Sequence, residues 1–159
     1  MHDPLDLENI PPGTSKVALA VYRLSRLLRG QLADVLDRNS DFGLVAWRVC
    51  LGLSQHDALA QKDLVEFIAM EQGQVSRSLA VMEERGLIRS ERSPQDGRVR
   101  LLSLTDAGRA QFNRIAPAVA AFYRSIDQTL SAMEQSQFLE MARRIADAND
   151  ELEKRTGTA

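Results

Sequence analysis

Five arginines, Arg85, Arg89, Arg92, Arg98 and Arg100, crowd around a Ser-Pro-Gln-Asp-Gly run at 93–97, opposed only by Glu91 and Asp96 between Arg85 and Arg100. A guanidinium is permanently charged, and its fixed fork of donors fits a phosphate. Just upstream, Gln72, Gln74, Ser76 and Arg77 fall close together. Glutamine pairs with adenine, arginine with guanine, and serine with either base type. The chemistry these residues suit is recognition of a polyanion. No nucleophile motif, phosphate-binding glycine loop or paired-carboxylate arrangement accompanies them. His2 and His56 are the only histidines and lack ligand-spaced partners, so neither a metal nor a cofactor is expected.

The chain as a whole does not look basic. Its formal charge is -2 with a pI of about 5.7, which argues against indiscriminate coating of nucleic acid but leaves room for a local cationic surface. At 159 residues and 44% hydrophobic content it has the length of one domain and can build a core. No apolar run is long enough for a membrane. The acidic start, MHDPLDLENIPPG, lacks the apolar core of a secretory signal. A soluble, cytoplasmic protein is expected. Cys50, the sole cysteine, sits in the apolar run VAWRVCLGL. A buried, inert thiol is the favoured reading; a redox sensor would need exposure and a lowered pKa.

Those side chains must be held by the surrounding elements. Residues 1–13 read as a flexible arm. Thr14 or Ser15 caps a helix to about Leu36, with Val17, Val21, Leu24, Leu28, Leu32 and Val35 at helical spacing. Ser40 or Asp41 is expected to cap a second helix, Phe42 to Leu53, and LSQHDALAQ reads as a connection. A third helix spans about Gln61 to Ile68. The fourth spans about Glu71 to Arg85, with Gly86 ending it. In that helix Val75, Leu79 and Met82 face inward and the polar set faces out. Leu87 and Ile88 open a strand, SPQDG turns it, and VRLLSL returns as its partner. Thr105 caps a long helix to about Leu130, in which Pro117 predicts a kink. Ser131 caps a last helix to about Lys154. The outer helices carry apolar stripes too wide for the middle block to cover, which predicts pairing with a second copy.

With these features on the page, the chain resembles the MarR family of dimeric winged-helix regulators. The resemblance is carried by VSRSLAVMEERGLIRS (75–90) and SPQDGRVRLLSLTDAG (93–108). They are similar to the family's recognition helix ending in L/M-E-x-x-G-L-I, followed by P-x-D-x-R and L-T-x-x-G. The resemblance implies a mainly α fold with a small β-hairpin wing. It assigns 41–105 to the winged helix-turn-helix, and 14–37 with 106–155 to dimerisation. Arg98 would enter a minor groove with Asp96 orienting its guanidinium. Ser76, Arg77 and their neighbours Gln72 and Gln74 would meet a major groove, and Arg92 would belong to the wing's DNA surface. In one place the chain departs from the pattern. The family usually has an arginine two residues after G-L-I, where this chain has Ser90, and Arg89 stands one place early, on the other face of the strand.

The function expected is a homodimeric, sequence-specific regulator of transcription on double-stranded DNA, a repressor released by a small effector. Tyr22 and Trp47 read first as core residues. By resemblance they also lie on segments lining a crevice where the family binds small aromatic or anionic effectors. The alternatives are a winged helix used for protein contact and the same regulator gated by oxidation of Cys50.

Overall fold

The computed structural model describes residues 4–8 and 10–156, with side chains followed through residue 149. His2 therefore lies outside the described residues. The chain divides into two compact units, one ending at Val119 and the other beginning at Ala120. The elements in order are α1 (Lys16–Asn39), α2 (Leu44–Ser54), β1 (Leu59–Ala60), α3 (Gln61–Ile68), α4 (Gln72–Glu84), β2 (Ile88–Arg92), β3 (Arg100–Leu104), α5 (Asp106–Asp127) and α6 (Ala132–Thr156).

In the first unit the core draws on all five helices and on β2 and β3. Leu32 and Leu36 of α1, Val49, Cys50 and Leu53 of α2, and Leu64 and Ile68 of α3 are buried with Val75, Leu79 and Met82 of α4. Phe42, Trp47, Leu87, Ile88 of β2, Leu102 and Leu104 of β3, and Ile115 and Val119 of α5 are buried with them. Ser15 caps α1 by accepting from the Ala18 N–H at 3.2 Å. The arm before α1 is pinned at one point, where the Arg23 guanidinium donates to the carbonyls of Leu5 and Asp6.

Two expectations about the connections change. Ser40 does not start α2. Its backbone N–H donates to Leu36 O at 2.8 Å and ends α1, while its hydroxyl accepts from the Phe42 N–H at 3.0 Å. Burial of Phe42 makes the residues between the helices a tight, packed corner, and Gly43 becomes the N-cap of α2 without a side-chain bond. The LSQHDALAQ connection also contains strand β1, which pairs antiparallel with β3 through Leu59↔Leu102 and Ala60↔Leu101. The sheet is therefore three-stranded, in the order β1-β3-β2. Two residues are too few for any periodicity to reveal.

After α4 the chain reverses at Gly86, whose φ of 67° lies in the left-handed region that favours glycine. Thr105 then opens α5. Its hydroxyl accepts from the Gly108 N–H at 3.1 Å and donates to Gly86 O at 2.7 Å, so one side chain joins the start of α5 to the end of α4. Helix α5 continues through Pro117.

In the second unit, Ser131 and Glu134 form a reciprocal cap on α6. Glu134 Oε2 accepts from the Ser131 N–H at 2.8 Å and the Ser131 hydroxyl at 2.7 Å. These bonds hold the Glu134 carboxyl below its ordinary value. Tyr123, Leu130, Met133, Phe138, Leu139, Met141 and Ile145 all lie exposed in this unit. No helix among the described residues is long and apolar enough to cross a membrane.

Candidate nucleic-acid interface

Burial sets the orientation of α4. With Val75, Leu79 and Met82 in the core, the 3.6-residue period leaves Gln72, Gln74, Ser76, Arg77 and Ala80 exposed, as the sequence predicts. Glu71 caps the helix. Its carboxylate accepts from the Gly73 N–H at 2.7 Å and the Gln74 N–H at 3.1 Å.

The hairpin is in the register Ile88↔Leu104 to Arg92↔Arg100. At its tip the Ser93 hydroxyl accepts from the N–H groups of Gln95 (3.2 Å) and Asp96 (3.3 Å). Asp96 Oδ1 accepts from the backbone N–H of Arg98 at 3.0 Å. The expected hold on the guanidinium is thus made on the main chain: Asp96 shapes the turn from which Arg98 projects. Arg98 is exposed and forms no ion pair among the described residues.

The other four arginines are committed within the fold. Arg92 Nη1 donates to Gly97 O at 3.0 Å across the wing tip. Arg89 Nε donates to Ser103 Oγ at 3.0 Å and lies 3.4 Å from Glu91 Oε1. Arg100 donates through Nε to Ser90 Oγ at 2.6 Å and through Nη2 to Glu83 Oε2 at 2.5 Å. At the Ser90 position, then, a guanidinium from the facing strand meets the serine and ties the wing to α4. Arg85 pairs with Asp41 Oδ2, and Asp41 Oδ1 accepts from Gln111 Nε2 at 2.8 Å. Desolvation pushes the Asp41 carboxyl up. Hydrogen bonds from its own backbone and Arg85, the Arg85 charge and the Gln111 amide outweigh it, so the net shift is downward.

One groove brings the separate parts together. A cavity of about 440 Å³ is lined by Ala60, Gln61, Lys62, Val65, Gln72, Arg98, Val99 and Arg100. It joins Gln72 of α4 to Arg98 of the wing and contains three cations and no carboxylate. Nothing in the sequence around Lys62 marks it as part of this surface. Only β1, which draws the start of α3 to β3, explains its presence beside the wing.

The two aromatic candidates have different surroundings. Tyr22 is 65% exposed and lines a cavity of about 470 Å³ with Pro4, Asp6, Leu19, Arg23, Arg26 and Leu27. Trp47 is not among that cavity's lining residues. It is 3% exposed and stacks on Phe112 of α5 with ring centroids 4.9 Å apart. Its indole N–H is buried without a hydrogen-bond partner, an arrangement that ordinarily costs about 1–3 kcal/mol.

Cys50 is fully buried, and desolvation pushes its thiol up to about 12. Arg48, the charge nearest in sequence, donates instead to Ile68 O at 3.1 Å. The geometry speaks against a redox switch here, because the reactive species is the thiolate. Iodoacetamide at pH 8 is expected to label Cys50 only in urea-unfolded protein. Labelling of the native protein at the rate of a free thiol would contradict this placement. No cluster able to hold a metal ion occurs among the described residues.

Against known proteins, residues 40–99 match the sequence pattern of the MarR family. The chain is 30% identical over 106 residues to the organic hydroperoxide resistance transcriptional regulator of Bacillus subtilis, covering 67% of this chain and 67% of that one. It resembles the crystal structure of the PcaV transcriptional regulator from Streptomyces coelicolor in complex with its natural ligand. There the TM-score is 0.70 and the identity 27%, over 86% of this chain and 99% of that one. A second Streptomyces coelicolor structure, the MarR family regulator Sco3205 in complex with DNA, matches with a TM-score of 0.77. At 22% identity, over 88% of this chain and 93% of that one, that likeness concerns the fold.

Proposed function

The chain belongs to the MarR family of transcriptional regulators, and on that premise we propose that it acts as a homodimer reading a pseudo-palindromic site in double-stranded DNA. Each protomer lays α4 in a major groove and sets the 89–100 wing beside it. Twofold symmetry then places half-site centres about 10 bp apart, one helical turn. The observation that carries this reading is the groove in which Gln72, Lys62 and Arg98 converge beside the exposed face of α4. Base-reading and phosphate-binding groups thus share one surface, as both kinds of contact require.

Dimerisation through α1 and α5–α6 is supported by the apolar side chains those helices leave exposed, among them Val17, Val21, Leu27, Phe138, Met141 and Ile145. Apolar side chains left open in such number on a helix mark an interface. The regulator is a repressor released by a small aromatic or anionic effector. Support comes from the Tyr22 cavity, whose lining includes Arg26 and Arg23, the latter paired with Asp6. Asp41 links Arg85, at the end of α4, to Gln111 of α5. An effector that prefers one setting of these helices would change DNA affinity without touching DNA.

Single substitutions of Ser76 and Arg77 by alanine test base reading. Each is expected to shift preference among duplexes of different sequence, by on the order of 1–3 kcal/mol where a bidentate base contact is lost. Competition binding against a panel of single-base variants measures it. An equal loss on every duplex would contradict base reading.

A further inference from the structure

The end of α4 that opens on the cationic groove carries a negative charge. Glu71 precedes Gln72, a lining residue of that groove, and folds its carboxylate back over the first helical turn. Its two oxygens take the N–H groups of Gly73 and Gln74. A Cβ at position 73 would stand 2.7 Å from Glu71 Oε1, which shows how closely the carboxylate lies over that residue. The first turn of α4 adds no cation, and the nearest one on the helix is Arg77.

A helix start with free N–H groups and about half a positive charge is a ready phosphate site. In this protein Glu71 takes two of those donors, the N–H groups of Gly73 and Gln74, and puts a negative charge over the helix start. The opposing attraction comes from Lys62 and Arg98 along the groove, Arg100 there being paired with Glu83, and attraction to phosphates is blind to sequence. We propose that Glu71 is a specificity-determining residue: by keeping DNA phosphates away from the start of α4, it suppresses binding that does not depend on base contacts. This rests on the DNA-binding reading above. In this arrangement phosphate attraction alone holds the protein weakly, and the contacts of Gln72, Gln74, Ser76 and Arg77 make the difference on a matching site.

The test compares wild type, E71Q, E71S and E71D by fluorescence anisotropy between 50 and 200 mM salt. One probe is a duplex that wild type selects from a random pool; the other is a shuffled duplex of the same composition. Serine is a strong N-cap without charge and aspartate a strong N-cap with it, so the pair separates charge from capping. E71Q and E71S should bind the shuffled duplex about two- to fivefold more tightly per protomer, the effect expected of one charge at a helix end. The gain on the selected duplex should be smaller, and the salt dependence on the shuffled duplex steeper. E71D should keep the wild-type ratio of the two affinities. An unchanged ratio in E71Q and E71S, or a parallel loss on both duplexes, would reduce Glu71 to a helix cap. A loss confined to the selected duplex and traced to one base pair would make it a base reader, overturning exclusion. If wild type selects no sequence at all, the DNA-binding reading fails and this inference with it.

Discussion

Arg98→Ala is expected to weaken binding to duplex DNA by at least about tenfold, and to lower the slope of log affinity against log salt by about one phosphate-equivalent per protomer. The size follows from what the other arginines are doing. Arg85 holds Asp41, Arg92 closes the wing tip on Gly97, Arg89 sits on Ser103, and Arg100 braces Ser90 and Glu83. Arg98 alone of the five makes no side-chain contact of this kind among the described residues. Its main chain is meanwhile held by Asp96 Oδ1 and, one residue on, by the Val99 N–H bonded to Asp96 O at 2.9 Å. A fixed base carrying an unspent cation gives up little on meeting a polyanion. Titrations at several salt concentrations measure both quantities. Unchanged affinity and slope would mean that the guanidinium is only solvated.

Gly108→Ala is expected to destabilise the fold by about 3 kcal/mol or more, at or above the upper end of ordinary overpacking. The added Cβ would lie 1.9 Å from the Leu87 carbonyl oxygen and 2.9 Å from its carbon. Both are backbone atoms, so no side chain can swing away. Leu87 O is also committed, accepting from the Thr105 N–H at 3.1 Å and the Thr105 hydroxyl at 3.2 Å. Relief would have to separate the start of α5 from the turn that follows α4. For a chain of this length the melting temperature should fall by roughly 6–12 °C, read by circular dichroism. Melting alongside wild type would show that this junction yields easily.

Gly108 also illustrates how far the sequence could be read. The Leu-Thr-Asp-Ala-Gly run identifies the start of a helix and the family. The reason for its glycine, a carbonyl 21 residues earlier, is a fact about packing. The polar face of α4 was legible because burial of Val75, Leu79 and Met82 at spacings of four and three leaves one other side for the remainder. The same logic fails for Lys62, whose place beside the wing depends on a two-residue strand. It fails for Ser40 too, since a serine between two helices suits the end of one as well as the start of the next. The two-residue spacing puts Asp96 and Arg98 in one turn, but it cannot say whether the carboxylate takes a guanidinium or, as here, a backbone N–H. Tyr22 and Trp47 looked equivalent as aromatic residues on apolar helices. Their opposite burial reflects which stripe of each helix the core covers.

Hydroxyl-radical footprinting on a duplex selected by the protein, with the bound stoichiometry measured alongside, tests the central claim most directly. Two protected windows related by a twofold axis, centred about 10 bp apart, with two chains per duplex, are the predicted result. A single window held by one chain, or protein that remains a lone 17.7 kDa particle in solution, would contradict it.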